Sequence, residues 1–195
     1  MQTKKPLYRF LAKNGQLIWI RPLRANDTPV LVDIFEHMSS ESRYHRFQQT
    51  VDHVPEQRIW REAEQIATAD PQRNYGLLAT YLDETDKEIP IGAVRWVAIS
   101  ENEAEVAISI RDDFQGLSIG TKMMQLLAEE AREHGFERLS ANIDNDNPAI
   151  LHVFARLPYE VLRVPDGHSS DIFIFLTQPR DPDQGHVDGL LAGFF

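Results

Sequence analysis

Residues 119–134 constrain this chain more than any other stretch. Ile119, Met123, Leu126, Leu127 and Ala131 recur at the spacing that places side chains on one face of a helix. Thr121, Lys122, Gln125, Glu129 and Arg132 form the polar remainder, and Gly135 stands where a helix closes through a left-handed residue. A helix with one apolar stripe must bury that stripe against another element. The stretches 75–82, 89–99 and 103–110 supply strands for it, separated by the turns 83–87 and 100–102.

The remaining pattern extends this frame. Leu17-Ile18-Trp19-Ile20-Arg21 reads as a strand ended by Pro22. Asn26-Asp27-Thr28-Pro29 supplies caps and an early proline for a helix to about Met38, with Val30, Leu31, Ile34, Phe35 and Met38 inward. Residues 39–54 are polar, and a second helix over about 55–67 turns Ile59, Trp60, Ala63 and Ile66 inward. After the long helix come a strand at 139–143, a helix at 148–155 behind Asn147, and strands at 159–164 and 171–176. Adjacent early strands imply antiparallel pairing, and the later helical connections imply some parallel pairing. The expectation is an α/β domain over 16–178: a mixed, mostly antiparallel sheet flanked by helices. A leading segment, 1–15, precedes it and a tail, 179–195, follows.

Composition narrows the partners. With 30 acidic and 20 basic residues the formal charge is −10, which disfavours nucleic acid and favours amines or basic protein segments. There is no cysteine, so thiolate zinc sites and cysteine nucleophiles are excluded. No apolar run approaches the about 20 residues of a membrane span, and the N-terminus lacks a leader's apolar core, so a cytoplasmic chain is expected. The seven histidines are scattered without ligand spacing, and no metal is expected. Gly167-His168-Ser169-Ser170-Asp171 reads as a hairpin loop rather than a hydrolase triad. The end Leu190-Leu191-Ala192-Gly193-Phe194-Phe195 is either a fraying tail or a docking element for the domain or for a second copy in a homodimer.

Gln115-Gly116-Leu117-Ser118-Ile119-Gly120 joins the third of the clustered strands to the long helix. Its glycines allow close backbone approach, and the first helical N–H groups are free to hold an anion. Such amides can cradle a pyrophosphate without many lysines, and Arg111 and Lys122 flank the loop to add charge. The loop is neither G-x-G-x-x-G nor G-x-x-x-x-G-K-[ST], so nicotinamide-dinucleotide and P-loop readings fail on the residues.

The stretch from Arg111 to Thr121 resembles the acyl-CoA-binding segment of the GNAT N-acetyltransferases, Q/R-x-x-G-x-G/A, matching at Gln115 and Gly120. Ser118 replaces a glycine of that pattern, and its Cβ implies a backbone that avoids conformations tolerated by glycine alone. Ile20-Arg21-Pro22-Leu23 through Asp27 resembles the family's opening strand and helix start. Asn147-Pro148-Ala149-Ile150-Leu151 through Leu157-Pro158-Tyr159-Glu160-Val161 resembles its later N-x-A…GF segment. The resemblance covers about residues 18–176. It implies a sheet splayed into a V, acyl-CoA in the opening, and an amine acceptor entering from the other side. It also implies that Gln115, Gly116, Leu117, Ser118, Ile119, Gly120 and Thr121 hold the cofactor, with Asn147 on the pantetheine arm unless it serves only as a helix cap. Ser39-Ser40-Glu41-Ser42-Arg43-Tyr44-His45-Arg46-Phe47 is similar to a segment of bacterial protein lysine acetyltransferases. Arg43 and Tyr44 there become substrate candidates; the alternative is local packing, with Arg43 and Arg46 on neighbouring acids.

Acyl transfer to an amine needs a proton acceptor and an oxyanion donor. Ala104-Glu105-Val106-Ala107-Ile108 resembles the segment that carries the general base of the protein lysine acetyltransferases, which assigns that role to Glu105. Glu103 shares its strand face but lies nearer the turn and is expected to be solvated. The oxyanion donor is expected from a backbone N–H near Ala107 or Ile108, beside a bulge that splays the strand. Phe154 falls where many members carry an acid tyrosine, and Tyr159 reads as core, so no general acid is named. The expected function is acetyl-CoA-dependent N-acetylation of a primary amine, a protein lysine before a small amine. The rival expectation is an acyl-CoA-binding sensor without turnover.

Overall fold

The computed structural model describes residues 8–47 and 54–179. Its elements run β1 (Tyr8–Leu11), β2 (Leu17–Pro22), α1 (Thr28–Glu36), α2 (Ser40–Phe47), α3 (Glu56–Ala67), β3 (Asn74–Leu82), β4 (Glu88–Ala98) and β5 (Glu103–Ile110). There follow a short 3-10 turn (Asp112–Phe114), α4 (Ile119–Glu133), β6 (Arg138–Asp144), α5 (Pro148–Ala155), β7 (Tyr159–Asp166) and β8 (Ser169–Pro179). The eight strands form one sheet in the order β1-β2-β3-β4-β5-β6-β8-β7. Every neighbouring pair is antiparallel except β5–β6, which is the mixed arrangement expected from the pattern.

The long helix is the organising element. Ile119, Met123, Leu126, Leu127 and Ala131 are all buried, and α4 packs on β3, β4, β5 and β8. Its C-terminus closes as expected, with Gly135 at φ +92°. The opposite sheet face is covered by α1 and α3, where Ile34, Met38 and Leu78 form a small second core. Trp60 departs from its expected inward position: it is exposed, and Ala63 is the buried residue of α3.

Three local features differ from the sequence reading. β1 pairs with β2, so the leading segment contributes a strand to the sheet. The polar stretch after α1 contains a helix, α2, which buries none of its residues and therefore carries no apolar stripe. Asp27 stands at the N-cap of α1 but its side chain caps nothing there. Its carboxylate instead takes two bonds from the Arg21 guanidinium, at 2.7 and 2.9 Å, and one from the Arg24 N–H at 2.7 Å.

The sheet opens between β5 and β6. Their parallel pairing covers only Glu103↔Arg138, Ala104↔Leu139 and Glu105↔Ser140. Beyond that point β5 stays with β4 as far as Gly92↔Ile110, while β6 stays with β8 as far as Asp144↔Ser169. Two strands committed to different neighbours separate into a V. The bulge expected in β5 is absent, since the β4–β5 register runs without a shift; the irregularities lie in β7–β8 at Tyr159/Glu160 and in β3–β4 at Ala79/Thr80, opposite Pro90. Proline cannot donate to a ladder, which accounts for the slip there.

Candidate functional site

The V holds a cleft of about 950 Å³, at the upper end of ligand-pocket sizes (about 300–1,000 Å³). Glu105, Ala107, Ile108, Gln115, Gly116, Ser118, Ile119, Gly120, Thr121 and Asn147 all line it. Leu117 is the exception among the loop residues. It packs against the main core, and its carbonyl accepts the Lys13 N–H at 3.4 Å.

The loop is shaped by two left-handed residues, Gly116 at φ +72° and Ser118 at φ +67°. Ser118 therefore takes the conformation that its Cβ was expected to forbid. No side chain caps α4, and its first intrahelical bond is Lys122 N–H to Ser118 C=O at 3.1 Å. The N–H groups of Ile119, Gly120 and Thr121 precede that bond and are left at the positive end of the helix dipole, beside the cleft. Gln115 is used structurally: its Nε2 donates to Asp112 Oδ1 at 2.9 Å, Ser42 Oγ at 3.2 Å and the Ile110 carbonyl at 3.3 Å. Arg111 does not serve the loop. It is held by Asp113 at 2.9 and 3.1 Å and by the Pro90 carbonyl at 3.3 Å. Lys122 is also outside the cleft lining, and the cation beside the loop is Lys13, brought there by the β1–β2 turn.

Strand phase decides which β5 amides face the opening. Ile99 N–H donates to Glu103 C=O at 3.0 Å and Arg111 N–H to Ile91 C=O at 2.9 Å. With the register between them, the N–H groups of Glu105, Ala107 and Ser109 point to β4, and those of Val106, Ile108 and Ile110 point to the β6 side. β6 pairs only as far as Ser140, so the Ile108 N–H faces the cleft beyond the end of the ladder. Glu105 stands at the apex of the split, exposed and in the cleft wall. Glu103 is not the solvated residue expected: its side chain is only 13% exposed and ion-paired with Arg138.

Asn147 caps α5, its Oδ1 accepting the Ile150 N–H at 3.2 Å, and it lines the cleft as well. Phe154 is buried at the cleft floor, and Tyr159 is buried in the core, where burial pushes its hydroxyl pKa up.

From α2, Ser42, His45 and Arg46 line the cleft, whereas Arg43 and Tyr44 do not. Arg43 donates to the Phe35 and Glu36 carbonyls at 3.2 and 3.3 Å and lies over the Phe35 ring, closing the end of α1. The helix is anchored through Asp112, which accepts from the Ser39 N–H at 2.7 Å and from the Ser42 hydroxyl. Burial alone would raise the Asp112 pKa. The bonds from Ser42 and Ser39 and the nearby Arg43 charge outweigh it and hold the carboxyl below its ordinary range. The far end of α2 is tied by His45, whose Nδ1 lies 3.4 Å from Asp144 and 3.9 Å from Asp146. These three residues offer donor atoms within 4.8 Å of one another, a grouping that sequence spacing does not reveal.

Sequence reasoning missed Lys13, Ser42, Arg46 and Asp112. Ser39 was the available signal for α2, since its Oγ caps the Ser42 N–H at 3.2 Å. Among the described residues no helix is long and apolar enough to cross a membrane.

Comparison with known proteins agrees with this geometry. Residues 18–160 match the family described as the acetyltransferase (GNAT) domain. The chain is similar to Acetyltransferase PA5475 of Pseudomonas aeruginosa, 27% identical over 155 residues, which cover 78% of this chain and 80% of that one. Its fold is similar to the GNAT domain of S. lividans PAT, with a TM-score of 0.72, 24% identity, and 86% and 95% of the two chains covered. It is also similar to yncA, a putative acetyltransferase from Salmonella typhimurium solved with its cofactor acetyl-CoA, with a TM-score of 0.57, 20% identity, and coverage of 86% and 98%.

Proposed function

The chain belongs to the GNAT acetyltransferases, and from that premise we propose that it moves an acetyl group from acetyl-CoA to the side-chain amine of a protein lysine. The observation that carries this reading is the split between β5 and β6, with Glu105 at its apex, the Ile108 N–H facing into it and the α4 amides at its mouth. The acetyl-CoA bound by the Salmonella neighbour supports the same use of the cleft. The likeness of residues 39–47 and 104–108 to protein lysine acetyltransferases supports lysine as acceptor.

Each residue then has a role. The amides of Ile119, Gly120 and Thr121, with Gly116 giving close approach, take the pyrophosphate, and Lys13 adds a cation. Asn147 and the open edge of β5 hold the pantetheine arm. A lysine amine has an ordinary pKa near about 10.4, so it arrives protonated. Glu105 removes that proton, directly or through a water, and the nitrogen lone pair attacks the thioester carbon. The Ile108 N–H donates to the oxygen that becomes negative as the tetrahedral intermediate forms. The nitrogen, left positive by the attack, gives up a second proton to solvent; the C–S bond then breaks, the carbonyl reforms, and the CoA thiolate leaves to be protonated by solvent. No side chain is assigned that last proton, because Phe154 has none to give.

Glu105→Gln tests the assignment with CoA release as readout, over a panel of lysine peptides and small amines. The expected result is a fall in kcat of about 100-fold or more with acetyl-CoA affinity retained. Unchanged turnover on the best acceptor removes Glu105 as the base. Turnover confined to small amines removes protein lysine as the acceptor.

A further inference from the structure

On the other side of β5 from the cofactor loop lies a second pocket, of about 290 Å³, between the sheet and the helices α1, α2 and α3. It shares Met38, Arg46, Phe47, Ala107 and Ser109 with the cleft, so the two are continuous around β5. The ladder explains why there is space. Ala93 pairs with Ser109 and Arg95 with Ala107, and strand alternation puts these four and Glu105 on one sheet face. Three of the four are too small to fill the gap beneath the helices, and the fourth is an arginine.

Arg95 from β4 and Arg46 from α2 line this pocket, and α3 adds Arg58 and one carboxylate, Glu62, to its wall. The Arg95 Nε is buried and has no hydrogen-bond partner. Among the described residues, neither Arg46 nor Arg95 has a carboxylate within salt-bridge distance. Burial pushes the Arg46 pKa down to about 10, Arg95 adds repulsion, and only Glu105 opposes it. Arg95 is likewise lowered by burial, with Glu105 and Glu62 in partial compensation. A cation withdrawn from water without a partner is costly, and Glu105 and Glu62, neither within salt-bridge distance, do not satisfy the two guanidiniums. In a chain of net charge −10, a pocket whose arginines outnumber its carboxylates favours an anion from outside. A guanidinium fork matches a planar carboxylate, and the surrounding apolar walls suit an aliphatic stem.

We propose that the acceptor amine is presented together with a carboxylate, which Arg46 and Arg95 bind in this second pocket while the amine reaches Glu105. This rests on reading the β5–β6 split as the transfer site. The carboxylate has two possible sources: the acceptor's own, in a free amino acid, or a glutamate or aspartate beside the target lysine of a protein.

Calorimetry on the full chain saturated with CoA separates the outcomes. One pair of probes is L-lysine and L-lysinamide. The other is two lysine peptides that differ only by glutamate or glutamine next to the lysine. The carboxylate member of one pair is expected to bind about tenfold more tightly or better, and which pair responds names the source. Arg95→Gln and Arg46→Gln should each bring that ratio close to one, and Arg95→Lys should restore part of it, with acetyl-CoA binding as the check on folding. Equal affinity within both pairs overturns the proposal, and so does a preference that survives both glutamine variants. Turnover is read separately. Preference without turnover keeps the carboxylate site and removes acyl transfer, whereas turnover without preference does the reverse.

Discussion

Ser118 carries the sharpest local conflict between residue type and conformation. A left-handed φ costs a residue with a Cβ roughly 1–2 kcal/mol, and φ here is +67°. The turn into α4 imposes it, because Ser118 C=O must accept the first helical bond from Lys122 while the loop doubles back from Gln115. Ser118→Gly should leave stability unchanged or raise it by up to about 1 kcal/mol, since relief of strain is offset by the freer unfolded chain. Ser118→Val should cost about 1–2 kcal/mol, because a β-branched side chain tolerates this region least. Denaturant unfolding measures both. A glycine variant less stable by more than about 1 kcal/mol would mean that the hydroxyl matters more than the backbone. The resemblance to the acyl-CoA loop marked this position as irregular, but the sign of its φ depends on the turn that the tertiary fold imposes.

At the scale of elements, α2 is the helix held least by apolar packing. It buries no residue, and Asp112 and His45 tether its two ends. The lowered Asp112 pKa makes this docking pH-dependent. Its contribution is fully present above the ordinary carboxylate value and is lost as pH falls through the lowered folded value. Amide exchange in residues 40–47 should therefore accelerate as pH falls below about 4, after correction for intrinsic rates. Asp112→Asn should show that faster exchange already at neutral pH. Exchange in the variant matching the parent would overturn the tether. The contrast with α4 explains which helices a pattern reveals. Ile119, Met123 and Leu127 announce their helix by periodicity, whereas α2 forms through Ser39, Asp112 and residues distant in sequence.

Across the whole molecule, Arg21, Asp27 and Glu88 tie β2, the start of α1 and β4 together. Arg21 and Asp27 are 6% and 4% exposed, so removing one partner leaves the other as an uncompensated buried charge. Asp27→Ala should cost about 3 kcal/mol or more in denaturant unfolding, with Glu88 only partly compensating from a more exposed position. A loss below about 1 kcal/mol would show that Glu88 takes over. The same scale sets the site. The V arises because β5 and β6 each have a longer ladder with another strand, a property of the complete sheet order.

The amino-acid sequence by itself determined the elements with strong periodicity, the mixed sheet with helices on both faces, and the loop from Gln115 to Gly120 at a strand–helix junction. These follow from local alternation, helical spacing and turn residues, which need no distant partner. The resemblance added the family and pointed to Glu105. Only the tertiary structure decided the rest: that the Ile108 and Ile110 N–H groups face an opening, that Arg111 is spent on Asp113 while Lys13 stands by the loop, and that Arg46 and Arg95 share one pocket. Those facts depend on ladder phase and on which residues far apart in the chain are brought within a few ångströms, and neither is written in any single stretch of it.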